Sequence, residues 1–347
     1  MAIVVPDLDV PVELRASPHA AQAERAARAV LREHALARGP QADDYVERTR
    51  FGALVACMYP DAYEPELCLV ARWMALWSIV DDQLERLGAV ERPQTVASVC
   101  AAIASWVDGR APGREPAIAV AFRSVWAGIA ATASESWRRR LRHEFRRHLD
   151  GCRWEAEQVR ARKAPAIADY LRWRPLFFGA HVALALGEYA RRAELPPSLI
   201  GDPVLRKAVG TGIELMIISN DLLSADIEAE QGGVNLVAIL GERDGCTPQQ
   251  SADRLAGAYG RRLAAYREQM GALRRHCAGL GLGERERDAV LEYARGPLIW
   301  TRGQIAWSTG NPRYSADRAA FYRVIPDHIG DLARTLRHPA ARPACGQ

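Results

Sequence analysis

Residues 209–228 read VGTGIELMIISNDLLSADIE. The first half of this stretch is almost wholly apolar, and the second half places Asn220, Ser224 and Glu228 at every fourth position. On an α-helix, positions four apart drift by only about 40° per step, so an amide oxygen, a hydroxyl and a carboxylate stack along one face. Such an all-oxygen set suits a hard divalent cation such as Mg²⁺, which takes oxygen ligands and commonly keeps waters and substrate phosphate oxygens as well. A helix leaving the core would also carry polar residues where it meets water, so the spacing alone leaves both readings open.

A second apolar helix has the same habit. Residues 66–86 read ELCLVARWMALWSIVDDQLER, an apolar run that is expected to end in Asp81, Asp82 and Glu85. Asp81 and Glu85 are i, i+4 neighbours on one face, and Asp82 is offset from both. Unpaired buried anions are costly, and metal ions would offset that cost. The alternative is a solvated last turn, where negative charge opposes the helix dipole.

The rest of the chain reads as more helices. Ser17 and Pro18 mark a start and Gly39-Pro40 a stop, giving a helix to about residue 37 after an extended lead-in over 1–16. Further helices are expected over about 42–58, 93–107, 117–131, 134–161, 203–230, 248–280, 284–309 and 315–336, with a short one from Pro165 to Pro175. Breakers fill 109–116, and 339–347 reads as a disordered tail. No run alternates with period two between turn signals, and no repeat recurs at a fixed spacing. The expected fold class is all-α: one bundle of ten or more helices, with residues 1–347 as a single domain.

Composition narrows the function classes. A net charge of +4 with acidic residues interleaved among the arginines gives no basic stripe for nucleic acid. The seven cysteines are odd in number, widely spaced and without a CxxC pair, which argues against a disulfide framework and for reduced thiols in the cytoplasm. The acidic N-terminus has no signal-peptide pattern, and no window reaches the length of a membrane span.

Between and after the two oxygen clusters come Arg174, in a Trp-Arg-Pro sequence, and Arg313-Tyr314, in a proline turn. Guanidinium groups bind phosphate bidentately, and Mg²⁺ commonly bridges carboxylates to phosphate oxygens. Trp73, Trp77, Phe177, Phe178, Trp300 and Trp307 supply aromatic faces, which stabilise cations. Metals, diphosphate donors and an aromatic-lined apolar bundle together point to ionisation of an allylic diphosphate to a carbocation.

In these residues the sequence resembles the bacterial class I terpene synthases, over about residues 50–325. Asp81-Asp82-Gln-Leu-Glu85 is similar to the family's aspartate-rich motif in its DDxxE form, and Asn220, Ser224 and Glu228 match the ligand positions of its second metal motif. Arg174, 46 residues before Asn220, stands where the family carries a diphosphate-sensing arginine, and Arg313-Tyr314 resembles its late Arg-Tyr pair.

The resemblance implies a helical bundle around a central apolar active-site cavity. It also implies three Mg²⁺ ions, with Asp81 bridging two and Asn220, Ser224 and Glu228 chelating the third; Asp82 and Glu85 are further metal candidates. Arg174, Arg313 and Tyr314 would donate to the diphosphate of a linear isoprenyl substrate, farnesyl diphosphate before geranylgeranyl diphosphate, and the product would be a terpene hydrocarbon or alcohol. A homodimer is common among such proteins. The sequence departs from the family at Ile227, where many members carry a lysine. Other readings are a chain-elongating prenyltransferase, which would carry a second Asp-rich motif, and a non-catalytic diphosphate-binding bundle.

Several residues read as structural. Trp154 with Glu157 suggests helix packing, His181 a core histidine, Trp73 and Trp77 a core pair before a cavity lining, and Arg138 to Arg140 a solvated face.

Overall fold

Prolines and capping side chains set where the helices begin. Pro65, Pro93, Pro203 and Pro248 all stand in a first turn, where a missing N–H costs nothing. Asp202 Oδ1 accepts from the N–H groups of Val204 and Leu205 at 2.8 and 3.0 Å. Ser134 Oγ accepts from Trp137 N–H at 3.1 Å, and Thr247 and Gln250 form a reciprocal capping box. Gly232 and Gly245, at φ 73° and 62°, terminate their helices in the left-handed conformation that glycine adopts without penalty.

The computed structural model describes residues 3–108, 116–314 and 324–337. Among these the regular structure is helical throughout: α1 (Ala20–Glu33), α2 (Pro40–Thr49), α3 (Phe51–Met58), α4 (Glu64–Val90), α5 (Pro93–Ser105), α6 (Ala117–Thr132), α7 (Glu135–Ala161), α8 (Ile167–Phe177), α9 (Ala180–Ala190), α10 (Pro197–Ile200), α11 (Pro203–Gln231), α12 (Leu236–Asp244), α13 (Pro248–Gly279), α14 (Glu284–Ser308), a 3₁₀ turn (Pro312–Tyr314) and α15 (His328–Arg337). The all-α expectation is borne out.

α4 and α11 are the two long apolar helices that carry the oxygen clusters. α4 packs against α1, α6 and α7, and α11 against α13 and α14. One continuous apolar core joins all of them. It includes an aromatic cluster in which Trp73 meets Phe122 and Phe145 edge-on, at centroid distances of 4.6 and 5.4 Å. Behind Asp82, α15 is anchored to α4 through Gln83, which donates to Pro326 O at 2.7 Å and accepts from Ile329 N–H at 3.0 Å.

Several sequence expectations need correction. The helix expected over 42–58 is two helices, because Arg50 sits at φ 54°. The break frees the Thr49 carbonyl, which accepts from Trp307 Nε1 at 2.7 Å and Asn311 Nδ2 at 3.0 Å. α4 does not end at its carboxylates but runs on to Val90, so the acids lie within the helix. α8 continues through Pro175, and the break falls at Gly179, φ 74°. α12 was not anticipated; its short apolar run follows a Gly-Gly pair that reads as loop. The last expected helix does not hold over 324–327, and its span 315–323 lies outside the described residues, as does the expected disordered tail at 339–347. Arg140 is half-buried and turned inward: its Nη2 donates to the fully buried Glu188 at 2.6 Å, and Glu188 also accepts from Leu195 N–H at 2.8 Å.

Candidate active site

α4, α8, α11, α14 and the 3₁₀ turn surround a cavity of about 1130 Å³ of empty space, part of it open to solvent. Its lining changes chemistry along each helix. On α4 it passes from Met74 and Trp77 to Asp81 and Glu85, and on the other helices Phe177, Phe178, Trp300 and Trp307 face it together with Arg174, Asn220, Ser224, Glu228, Arg313 and Tyr314. The expected residues therefore converge, with one exception. Trp73 does not line the cavity; it is buried in the aromatic cluster behind Trp77.

Arg174 organises the α11 side. It is buried, with Nε donating to Asp221 Oδ1 at 2.8 Å and Nη2 to Asn220 Oδ1 at 2.6 Å. Asp221 is wholly buried and accepts in addition from Tyr170 OH at 2.6 Å. Such charge-assisted bonds hold the guanidinium plane in one orientation. Phe177 and Phe178 flank it, their ring centroids 4.7 and 5.3 Å from its central carbon. Along α11, Ser224 Oγ lies 2.8 Å from the Asn220 carbonyl and 2.9 Å from Glu228 Oε1. Asn235, the N-cap of α12, donates to Glu228 Oε2 at 2.8 Å and to the Asp221 carbonyl at 2.9 Å.

On the facing side, Arg313 grips Asp82 bidentately at 2.7 and 2.8 Å. Asp82 thus serves as the anchor of Arg313, while Asp81 and Glu85 face the cavity. Tyr314 OH accepts from Gln304 Nε2 at 3.4 Å.

The acids are crowded. Burial, and then the neighbouring Asp82 charge, push the Asp81 carboxyl up to about 7, against the pull of Arg313 and Arg174. Burial with Asp81 and Glu228 nearby pushes Glu85 up to about 8. Glu228 rises to about 7 through burial, although Arg174 opposes it. Glu155 on α7 also lines the cavity, and burial beside Glu85 holds it well above the ordinary carboxylate range. Four half-buried carboxyls that resist joint ionisation, set beside amide and hydroxyl oxygens, are the donor set a divalent cation satisfies.

Sequence reasoning missed Asp221, Tyr170, Asn235 and Glu155. Asp221 directly follows the candidate ligand Asn220, and Glu155 lies between Trp154 and Glu157 on α7. Trp154 does pack as expected, stacked on Trp173 with rings 5.9 Å apart and 9° from parallel.

The family model "Terpene synthase family 2, C-terminal metal binding" matches residues 72–264. Pristinol synthase of Streptomyces pristinaespiralis is 28% identical over 88% of this chain and 83% of its own length. The (-)-beta-caryophyllene synthase ((2E,6E)-farnesyl diphosphate cyclizing) of Saccharothrix espanaensis is 26% identical over 93% of this chain and 92% of its own. Among solved structures, hedycaryol synthase in complex with HEPES superposes with a TM-score of 0.77 at 24% identity, covering 89% of this chain and 99% of that one.

Proposed function

The chain belongs to the terpene synthase family, whose metal-binding model spans more than half of it, and on that premise we propose that it is a Mg²⁺-dependent cyclase of farnesyl diphosphate. The observation that carries the reading is the cavity itself: two facing acidic helices, two anchored arginines, and a lining that turns aromatic away from them.

Asp81 on one side and Asn220, Ser224 and Glu228 on the other would hold the ions, three in all. When bound, the ions supply Lewis-acid stabilisation of the departing diphosphate. Arg174 presents to the cavity a guanidinium whose Nε edge is already fixed by Asp221, so a diphosphate oxygen meets a donor in a set orientation. Arg313, braced by Asp82, and Tyr314 add donors from the facing side. Once the allylic C–O bond breaks, Trp77, Phe178, Trp300 and Trp307 offer ring faces to the positive charge, and the apolar wall keeps water from it. Ile227 faces the cavity beside Glu228, and Arg174 and Arg313 supply the cationic contacts where many members add a lysine.

Cyclisation is favoured over chain elongation because the second metal set is Asn, Ser and Glu rather than a second aspartate-rich motif. The related (-)-beta-caryophyllene synthase is named as a farnesyl diphosphate cyclizing enzyme. The described residues, joined by one core, serve as one catalytic domain.

The test is incubation with Mg²⁺ and geranyl, farnesyl or geranylgeranyl diphosphate, followed by gas chromatography of a hexane extract. A cyclic hydrocarbon or alcohol from the farnesyl substrate is expected. Recovery of every substrate intact, or elongation only when isopentenyl diphosphate is added, defeats the reading.

A further inference from the structure

Two parts of the cavity wall, carried by different helices, meet on one side chain behind it. His148 of α7 is buried behind the lining. Its ring packs against Trp77 of α4 at a centroid distance of 4.6 Å. Its Nδ1 lies 2.7 Å from the Leu176 carbonyl, three residues before Gly179, whose φ of 74° separates α8 from α9. From these contacts we propose that His148 is a positioning residue for the aromatic wall of the cavity. Its ring braces Trp77, and its N–H pins the α8–α9 break and with it Arg174 and Phe178. The catalytic consequence rests on the cyclase reading, whereas the bracing does not.

A carbonyl can only accept, so Nδ1 donates to Leu176. Burial pushes the imidazole down to about 4, although the Leu176 bond opposes it. Near neutral pH the ring is therefore uncharged, and its single N–H is committed to that carbonyl. The same carbonyl accepts from Gly179 N–H at 2.9 Å. With both lone pairs occupied, the last turn of α8 is tied at once to itself and to α7.

Close approaches fix the same place. Gly151 lies three residues after His148, on the same face of α7. A Cβ added there would stand 2.8 Å from the Leu176 carbonyl carbon, so only a glycine lets α8 come this near. A Cβ added at Gly179 would stand 3.4 Å from His148 Cε1, so the left-handed residue rests on the imidazole.

The pinned turn carries functional side chains. Phe178 N–H donates to the Arg174 carbonyl at 3.0 Å, and the Phe178 ring meets Trp300 edge-on at 5.1 Å. On the other side Trp77 is wedged between His148 and Phe145, the latter at 5.2 Å, while its exposed part faces the cavity. A cation held between Trp77 and Phe178 thus meets two rings whose placement runs through one imidazole. Displacing such groups by about an ångström is enough to cost about a hundredfold in rate.

Two substitutions separate the two contacts: His148→Phe keeps a ring and loses the N–H, and His148→Asn keeps a donor near Nδ1 and loses the ring. The experiment combines farnesyl diphosphate kinetics, gas chromatography of the products, and hydrogen exchange of the full chain read by mass spectrometry. His148→Phe is expected to lower kcat at least about tenfold with KM within about threefold, because Asp221 still orients Arg174. Exchange over residues 176–183 should rise at least about tenfold, while α11 and α13 exchange as in wild type. His148→Asn should keep that protection and a kcat within about threefold of wild type, but shift the product ratio at least about twofold towards acyclic or less cyclised products. If His148→Phe fails to fold, His148→Ala replaces it, with the same expected rise in exchange over 176–183. Wild-type exchange, kcat and product ratio in both variants, or exchange raised evenly across all helices, overturns the proposal. If wild type consumes no diphosphate substrate, the cyclase reading fails, and exchange over 176–183 still decides whether His148 pins the break.

Discussion

Replacing Asp221 by alanine would leave the Arg174 guanidinium buried with only Asn220 at hydrogen-bond distance and Glu228 at 3.8 Å. Removing one partner of a buried pair typically costs about 3–5 kcal/mol, because the other charge stays desolvated. Asp221→Ala is therefore expected to lose that much in a urea unfolding series and to abolish turnover. Ser224→Ala should behave oppositely: stability within about 1 kcal/mol of wild type, because the bonds lost are to the Asn220 carbonyl and to Glu228, which keeps Asn235 as a donor, and turnover reduced at least tenfold. A Ser224→Ala protein that turns over normally would remove Ser224 from the metal set. The contrast shows what was legible at this scale. Spacing along one helix identifies Asn220, Ser224 and Glu228, since their shared face follows from helical geometry alone. Asp221 points about 100° away, towards α8, and which helix lies there is a tertiary fact that no local pattern contains.

At the same scale, the acid cluster makes stability depend on pH. Asp81 rises to about 7 and Glu85 to about 8 in the fold, from ordinary values of 3.8 and 4.5. The folded chain thus holds protons that the unfolded chain has released. The stability this contributes is complete below the ordinary carboxylate values and is lost as pH rises towards 8. The melting temperature of metal-free protein is expected to fall across that window, and Mg²⁺, which binds the ionised form, should raise it more at pH 8 than at pH ~5. Glu85→Gln should flatten the metal-free profile. A profile unchanged by that substitution would show that Glu85 does not carry the effect.

Elements are positioned by close approaches as much as by caps. Gly303 on α14 lets that helix lie against the backbone of α3, where an added Cβ would stand 2.8 Å from the Cys57 carbonyl carbon. Backbone cannot yield as a flexible side chain does. Gly303→Ala should therefore cost about 1–3 kcal/mol and displace α14, which carries Trp300, Gln304 and Trp307. Thermal unfolding and turnover are expected to fall together; an unaltered melting temperature would mean that the two helices separate freely. Most helices were legible because prolines and caps mark their starts. The split between α2 and α3 was not, since an arginine at φ 54° carries no local signal. Its cause is distant: Trp307 and Asn311 accept no continuous helix there because they bind the Thr49 carbonyl that the break releases. The extent of α4 is hidden for a related reason: a run of acids reads as a helix terminus, and only the facing α11 explains why Asp81 and Glu85 lie within a helix that runs on to Val90.

For the whole molecule, one wall of the cavity bears on substrate length. A second crevice, of about 400 Å³ of empty space partly open to solvent, lies between α3, α9 and α14. Met58 and Trp300 line both this crevice and the main cavity, so their side chains form the partition between the two. Trp300 is nearly buried and braced edge-on by Phe178 at a centroid distance of 5.1 Å, which makes the partition a packed one. Geranylgeranyl diphosphate exceeds farnesyl diphosphate by one isoprene unit, and truncating the indole removes more non-hydrogen atoms than that unit adds. Trp300→Ala is therefore expected to join the two spaces and to shift the ratio of kcat/KM for geranylgeranyl over farnesyl diphosphate upward by at least about tenfold, the scale on which one or two apolar contacts discriminate. Loss of a buried tryptophan costs about 3–5 kcal/mol, so Trp300→Leu, which fills part of the space, is the second variant, and it should shift the ratio less. If both variants fold, retain farnesyl turnover and leave the ratio unchanged, the partition does not set chain length, and the limit lies instead on the α4 side of the cavity, at Met74 and Trp77.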